Sequence, residues 1–195
     1  MKKIVLTAII LMLFTSCLNK SVYKNNDFRY KVNIPNGWIF LSNTARSDNS
    51  AEFEETLKNF QSTNIRVQNV DVAIFNPASE PPVFEVISIK TILTRVDINN
   101  LSQNLDTLQM LIKAQFAQIY PDITINEVEY TPFGTGNYLR INMSFNYENN
   151  PYNCNYIVLP GNLMGTHFIT FITKDGSSSS SDHIIDSFMK SFRRF

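Results

Sequence analysis

From Phe28 to Ile34 the chain alternates apolar Phe28, Tyr30, Val32 and Ile34 with polar Arg29, Lys31 and Asn33. A period of two predicts a strand with one buried face. Pro35-Asn36-Gly37 supplies turn chemistry, because proline presets φ while Asn and Gly tolerate positive φ. Trp38 to Leu41 then resumes an extended, mostly buried segment, with the single tryptophan as a core anchor. In "SDNSAEFEETLKNFQ" capping residues come first, Glu52 stands three after Asn49, and acidic side chains in the first turn complement the helix dipole. Phe53, Leu57 and Phe60 share one stripe, which predicts a short helix from about Ser50 to Gln61.

"VDVAIF" (70–75) and "VFEVISIKTIL" (83–93) read as strands separated by the Pro-rich turn "NPASEPP". The strongest helix signal follows. Asp97 to Asn100 offer caps, Leu101, Leu105, Leu108, Ile112, Phe116 and Ile119 recur at helical spacing, and Pro121 marks the stop. "DITINEVEYT", "GNYLRINMSFNYE", "YNCNYIVLP" and "THFITFITK" are strands joined by short turns, so they are antiparallel neighbours in a meander. A last helix starts at Ser181-Asp182 and turns Ile184, Ile185, Phe188, Met189 and Phe192 to the core. The pattern predicts an α+β layered sandwich, an antiparallel sheet of about seven strands covered by helices. "GSSSSS" (176–181) is a low-complexity loop.

The N-terminus changes where this domain works. Lys2 and Lys3 precede an eleven-residue run, Ile4 to Phe14, that is apolar apart from Thr7. A membrane-spanning helix needs about 20 apolar residues, whereas this length fits a secretory signal peptide, residues 1–16, which has no part in the fold. Phe14-Thr15-Ser16-Cys17 looks like a bacterial lipobox. That resemblance implies cleavage before Cys17 and diacylation of its sulfur, and two or three chains at about 0.8 kcal/mol per buried methylene make a stable anchor. Residues 17–26 then form a lipidated cysteine and tether, and residues 27–195 a single domain. Leu18 and Asn19 follow Cys17 with no aspartate as an inner-membrane retention mark, which in a diderm resembles an outer-membrane lipoprotein facing the periplasm. With Cys17 occupied, Cys154 has no disulfide partner and is expected to be a small buried core residue.

Without residues 1–16 the chain carries 15 basic and 17 acidic residues, a formal charge of −2. The longest basic run is Arg193-Arg194, so the clustered footprint of a nucleic-acid binder is missing. The 23 asparagines make an uncharged polar surface.

Candidate chemistry is sparse. Of the two histidines, His167 falls on the strand face opposite Phe168, and His183 stands beside Asp182 in the first turn of the last helix. No Ser occupies a G-x-S-x-G elbow, so a hydrolase reading rests on His183 and Asp182 alone. There is no H-x-x-x-H, H-E-x-x-H or paired-Cys motif. Glu127 and Glu129, like Glu52 and Glu55, share a face as solvated charges, and Asp122, Glu127 or Glu129 is a candidate for a weak divalent-ion site. No catalytic residue, metal ligand or cofactor is assigned. Tyr147, Tyr152 and Tyr156 flank a hairpin among polar neighbours. Cross-strand pairing accounts for them; a Tyr/Asn-rich contact surface is the functional alternative.

"FRYKVNIPNGW" near the start and "IIDSF" in the closing helix resemble the two ends of a PsbP-like domain, the fold of Mog-type nuclear import factors and DcrB-type bacterial envelope proteins. The resemblance runs from about Phe28 to Phe195 and implies an α/β/α sandwich. Members of that family generally bind or assemble with other proteins and are not enzymes, and no family ligand residue can be matched here. The expectation is a non-enzymatic, lipid-anchored envelope lipoprotein that binds a protein partner. The alternative is a carrier with an apolar pocket between sheet and long helix.

Overall fold

A computed structural model describes residues 21–42, 70–79, 85–134, 136–161, 165–177 and 182–195. Its principal sheet has seven strands in the order β3-β4-β5-β9-β8-β7-β6. These are β3 (Ile39–Ser42), β4 (Val72–Phe75), β5 (Val86–Ile92), β6 (Thr124–Phe133), β7 (Gly136–Tyr147), β8 (Asn150–Pro160) and β9 (Thr166–Lys174). All six neighbouring pairs are antiparallel.

Central strands carry apolar residues on both faces because both faces are covered. In β4 all four residues are buried. Ala73 and Phe75 join one core, while Val72 and Ile74 join a second on the other side. In β8, Tyr152, Cys154 and Val158 face the first core, and Ile157 and Leu159 the second.

Two helices lie over the first core, α1 (Ile98–Gln103) and α2 (Leu105–Ala117). The long helix expected from spacing is thus broken at Asn104. Its side-chain amide donates to the Asn100 carbonyl at 3.1 Å, a local bond of the kind that competes with helical hydrogen bonding. Leu108 and Ile112 are buried, and Leu101 and Phe116 pack at the margin. Ile119, placed on the stripe by spacing, is 38% exposed because the helix has already ended.

The second core is closed by α3 (Asp182–Ser191) and by a separate three-stranded sheet, β1 (Val22–Asn25), β2 (Tyr30–Asn33) and β10 (Arg193–Arg194), in the order β1-β2-β10. Ile185, Phe188, Met189 and Phe192 enter it, as the spacing of the last helix predicts, while Ile184, placed on the same face, is only half-buried. Ser191 fastens α3 to β2, since its hydroxyl donates to the Phe188 carbonyl at 2.7 Å and accepts from the Asn33 N–H at 3.0 Å.

Three expectations are corrected. Residues 22–25, placed in the tether, form β1. Tyr23, 4% exposed, anchors it, and four residues with one apolar anchor are too short to show a period. Alternation in 28–34 does mark a strand with Tyr30, Val32 and Ile34 inward, but that strand lies in the small sheet. Ile39 and Phe40 are 44% and 39% exposed instead of buried, because β3 is an edge strand. The turn between β2 and β3 is as expected, with Trp38 N–H bonded to the Pro35 carbonyl at 3.1 Å and Gly37 at φ 79°. The helix expected at 50–61 and residues 178–181 of the serine-rich loop lie outside the described residues.

Candidate functional site

One end of the sandwich opens into a cleft of about 1500 Å³. Its walls come from four places: the β5–α1 connection (Arg95, Val96, Asp97, Ile98), the β6–β7 hairpin (Phe133, Gly134, Gly136, Asn137), the end of β8 (Pro160, Gly161), and Phe192, Arg193 and Arg194 at β10. Each wall is tied to the sheet. Buried Thr166 accepts from the Val96 N–H at 2.8 Å and donates to the Thr94 carbonyl at 2.9 Å, which holds the stretch carrying Arg95 against β9. Phe133 packs on Tyr138 and Phe192, with ring centroids 6.1 and 6.4 Å apart.

Arg194 is half-buried. Its guanidinium donates to the Pro160 carbonyl at 2.6 Å and lies 5.5 Å from the centre of the Phe133 ring. Burial holds its pKa below the usual arginine value, and the aromatic face compensates part of the lost hydration. Asp97 is the acidic residue in the lining. Its carboxylate accepts from the Asn100 N–H at 3.4 Å at the start of α1. The site therefore presents arginines and aromatic rings on a fixed frame, which is binding chemistry.

Under Phe192 runs a buried polar chain that no sequence motif announces. Asp71 Oδ2 accepts from Thr91 Oγ1 at 2.5 Å and from the Tyr30 hydroxyl at 3.2 Å, and Thr91 Oγ1 is 2.9 Å from His167 Nδ1. With Asp71 ionised, the one Thr91 proton goes to the carboxylate, so His167 Nδ1 must carry a hydrogen and donate to Thr91. His167 is 3% exposed, packed between Tyr30 at 5.1 Å and Phe192 at 5.3 Å. Burial, aided by the Arg194 charge, lowers its pKa to about 4. Burial raises that of Asp71 against the opposing hydrogen bonds from Thr91 and Tyr30, and burial likewise raises the Tyr30 phenol. The imidazole is sealed from solvent and the Thr91 hydroxyl is committed to Asp71. This chain therefore joins the small sheet to the large one.

The sequence-predicted residues fall elsewhere. Tyr152 is 1% exposed, and Tyr147 and Tyr156 are half-buried. Period two puts these rings on the face covered by α2. Phe145 stacks on Tyr120 at 3.9 Å and on Tyr152 at 5.4 Å, Tyr147 meets Tyr120 edge-on at 6.3 Å, and Tyr156 meets Phe116 at 5.5 Å. The three tyrosines are core and core margin, so the contact surface proposed from sequence is not formed by them.

Cys154 is a fully buried free thiol, pushed up to about 12 by burial. His183 is exposed on α3, and its neighbour Asp182 pairs with Arg140 at 2.5 Å. Glu127 and Glu129 do share a face, opposite Asn142 and Arg140. Among the described residues no group of three or more His, Cys, Asp or Glu gathers where a metal ion could sit. Cys17, Glu52 and Glu55 lie outside the described residues.

A seven-stranded antiparallel sheet with helices on one face, and a helix with a small sheet on the other, defines an α+β fold of the PsbP-like class. The solution structure of cyanobacterial PsbP from Synechocystis sp. PCC 6803 superposes with a TM-score of 0.59 at 14% identity, covering 90% of this chain and 92% of that one. A crystal structure from Bacteroides thetaiotaomicron gives 0.54 at 10% identity, covering 91% of this chain and 49% of that one. LpqN of Mycobacterium tuberculosis, described as involved in cell envelope biogenesis, gives 0.48 at 9% identity over 89% of each chain. No protein-family profile and no curated protein sequence matches the chain.

Proposed function

We propose that this chain is a lipid-anchored lipoprotein of the bacterial cell envelope, whose PsbP-like domain is a non-enzymatic binding module that engages a protein partner through the cleft. The observation that carries the binding role is the composition of that cleft. Among the described residues its lining holds three arginines, two phenylalanines and one aspartate, and no histidine, cysteine, serine or threonine. Among the described residues Asp97 is the one acid–base group there, and its carboxylate accepts from the Asn100 N–H at the start of α1, so recognition is the chemistry this lining supports best. Its volume of about 1500 Å³ exceeds the roughly 300–1,000 Å³ of small-ligand pockets, which favours a macromolecular partner over a carried small molecule.

The anchor rests on the signal-like run ending at Cys17, and placement on the outer membrane of a diderm on Leu18 and Asn19. Labelled palmitate is expected to enter the wild-type protein and not a Cys17→Ala variant; equal labelling of both removes the anchor. A photo-crosslinker at exposed Asn137 in the cleft is expected to capture one discrete protein in intact cells, while one at exposed His183 on α3 does not. The same adduct from both positions, or none from Asn137, would sink the cleft reading.

A further inference from the structure

Three cations form one row across the small sheet. The register sets Lys24 of β1 opposite Lys31 of β2, and Lys31 opposite Arg193 of β10. All three side chains are exposed. Like charges directly opposite one another on neighbouring strands repel, so this arrangement weakens the sheet unless something anionic covers it. Segments 21–34 and 192–195 carry five basic side chains, Lys24, Arg29, Lys31, Arg193 and Arg194, against Asp27 alone, in a chain with 17 of each sign overall. Apolar residues rim the row: Val22 and Phe195 are each 51% exposed, and the Lys24 ammonium lies 4.8 Å from the centre of the Phe195 ring.

A cationic row with an apolar rim matches the chemistry of a bilayer surface. Phosphodiester headgroups neutralise the row, and the rim side chains enter the headgroup layer. Position agrees with chemistry. Val22 is the fifth residue after Cys17, and five extended residues reach at most about 18 Å. An acyl anchor at Cys17 therefore keeps the Val22 end of this sheet within about 18 Å of the headgroups.

We propose that the solvent face of the three-stranded sheet docks on anionic phospholipid headgroups, orienting the domain on its membrane. The placement of that face rests on the Cys17 anchor; its affinity for anionic lipid does not.

The test uses the full protein purified from its own envelope and reconstituted in vesicles of phosphatidylcholine alone or with phosphatidylglycerol. Labelling of Lys24 and Lys31 by a water-soluble amine reagent is expected to slow by about fivefold on the anionic vesicles, and about half-molar salt is expected to restore it. Lys113, exposed on α2 over the other face of the large sheet, is expected to label equally on both. The variant Arg193→Gln keeps both lysines and is expected to lose part of their protection. Equal labelling of Lys24 and Lys31 on the two vesicles, or protection of Lys113 as strong as theirs, overturns the proposal and leaves the face to an acidic protein. The mass of the N-terminal peptide reports the anchor separately. An unacylated chain that still sediments with the phosphatidylglycerol vesicles loses the anchor and keeps the docking face. An acylated chain without lysine protection loses the face and keeps the anchor.

Discussion

Gly165→Ala is expected to lower the free energy of unfolding by about 4 kcal/mol. Two separate costs combine. Gly165 has φ 113°, a backbone state that side chains rarely adopt, and a Cβ there would stand 1.8 Å from the Ile92 carbonyl oxygen and 2.9 Å from the Leu93 Cα. Both obstacles are backbone at the end of a central strand, so neither can rotate aside. Gly165 also accepts from the Gly161 N–H at 2.6 Å, so a shift would pull on the cleft wall at the end of β8. Gly134→Ala is the matched control. Its φ of 62° is again positive, but a Cβ would meet nothing within 4 Å, and the expected loss is about 1 kcal/mol. Urea midpoints of the two variants separate close packing from backbone strain; equal losses would mean that the approach of β5 to the β8–β9 connection is not tight.

Acidification is expected to destabilise the protein through His167. Its folded pKa is about 4, against an ordinary value of 6.5. Above about pH 6.5 the imidazole is neutral in both states and the fold has its full stability. Between there and about pH 4 the unfolded chain takes up a proton that the buried ring refuses, so stability falls as pH falls. The full effect is about 3 kcal/mol. Asp71 acts in the opposite sense. Its carboxyl is raised by burial, so the folded state takes up that proton first and gains stability as pH falls through the folded pKa. The contrast with His167→Asn isolates the imidazole, because asparagine keeps an N–H for Thr91 and does not titrate. Between pH 7 and pH 4 the wild type should lose about 3 kcal/mol more than the variant in chemical denaturation. Parallel curves would refute a buried neutral imidazole.

The same network shows why much of the site was not legible beforehand. Asp71, Thr91 and His167 are 20 and 76 residues apart along the chain. No local spacing links them, since they meet only when β5 pairs with β9, which sets Thr91 opposite His167. The cleft is assembled from four such separated segments. Pro160, Gly161 and the hairpin glycines at 134 and 136 read as turn residues in sequence, and they are turn residues; their convergence on Arg194 is a consequence of topology. The tyrosines failed for a different reason. A phenol ring suits both a wet contact and a core, and the alternation in "FNYENNPYNCNY" states which side chains share a face but not whether a helix covers it.

Local chemistry was enough for most of the elements, though not for β1, β10 or the break at Asn104. Period-two alternation marked the strands, Pro35-Asn36-Gly37 and the Glu148-Asn149 hairpin, at φ 48° and 63°, marked turns, and Ile185, Phe188 and Met189 marked the inner face of the last helix. These signals reach only a few residues, which is why sequence alone determined strand, turn and helix and the α+β class they compose. Only the tertiary structure decided that 30–33 belongs to a second sheet, that Ile39 and Phe40 stand on an open edge, and that three cations line up across β1, β2 and β10. Those outcomes depend on which strand pairs with which, and that choice is set by burying both faces of the large sheet at once, a condition no single segment contains.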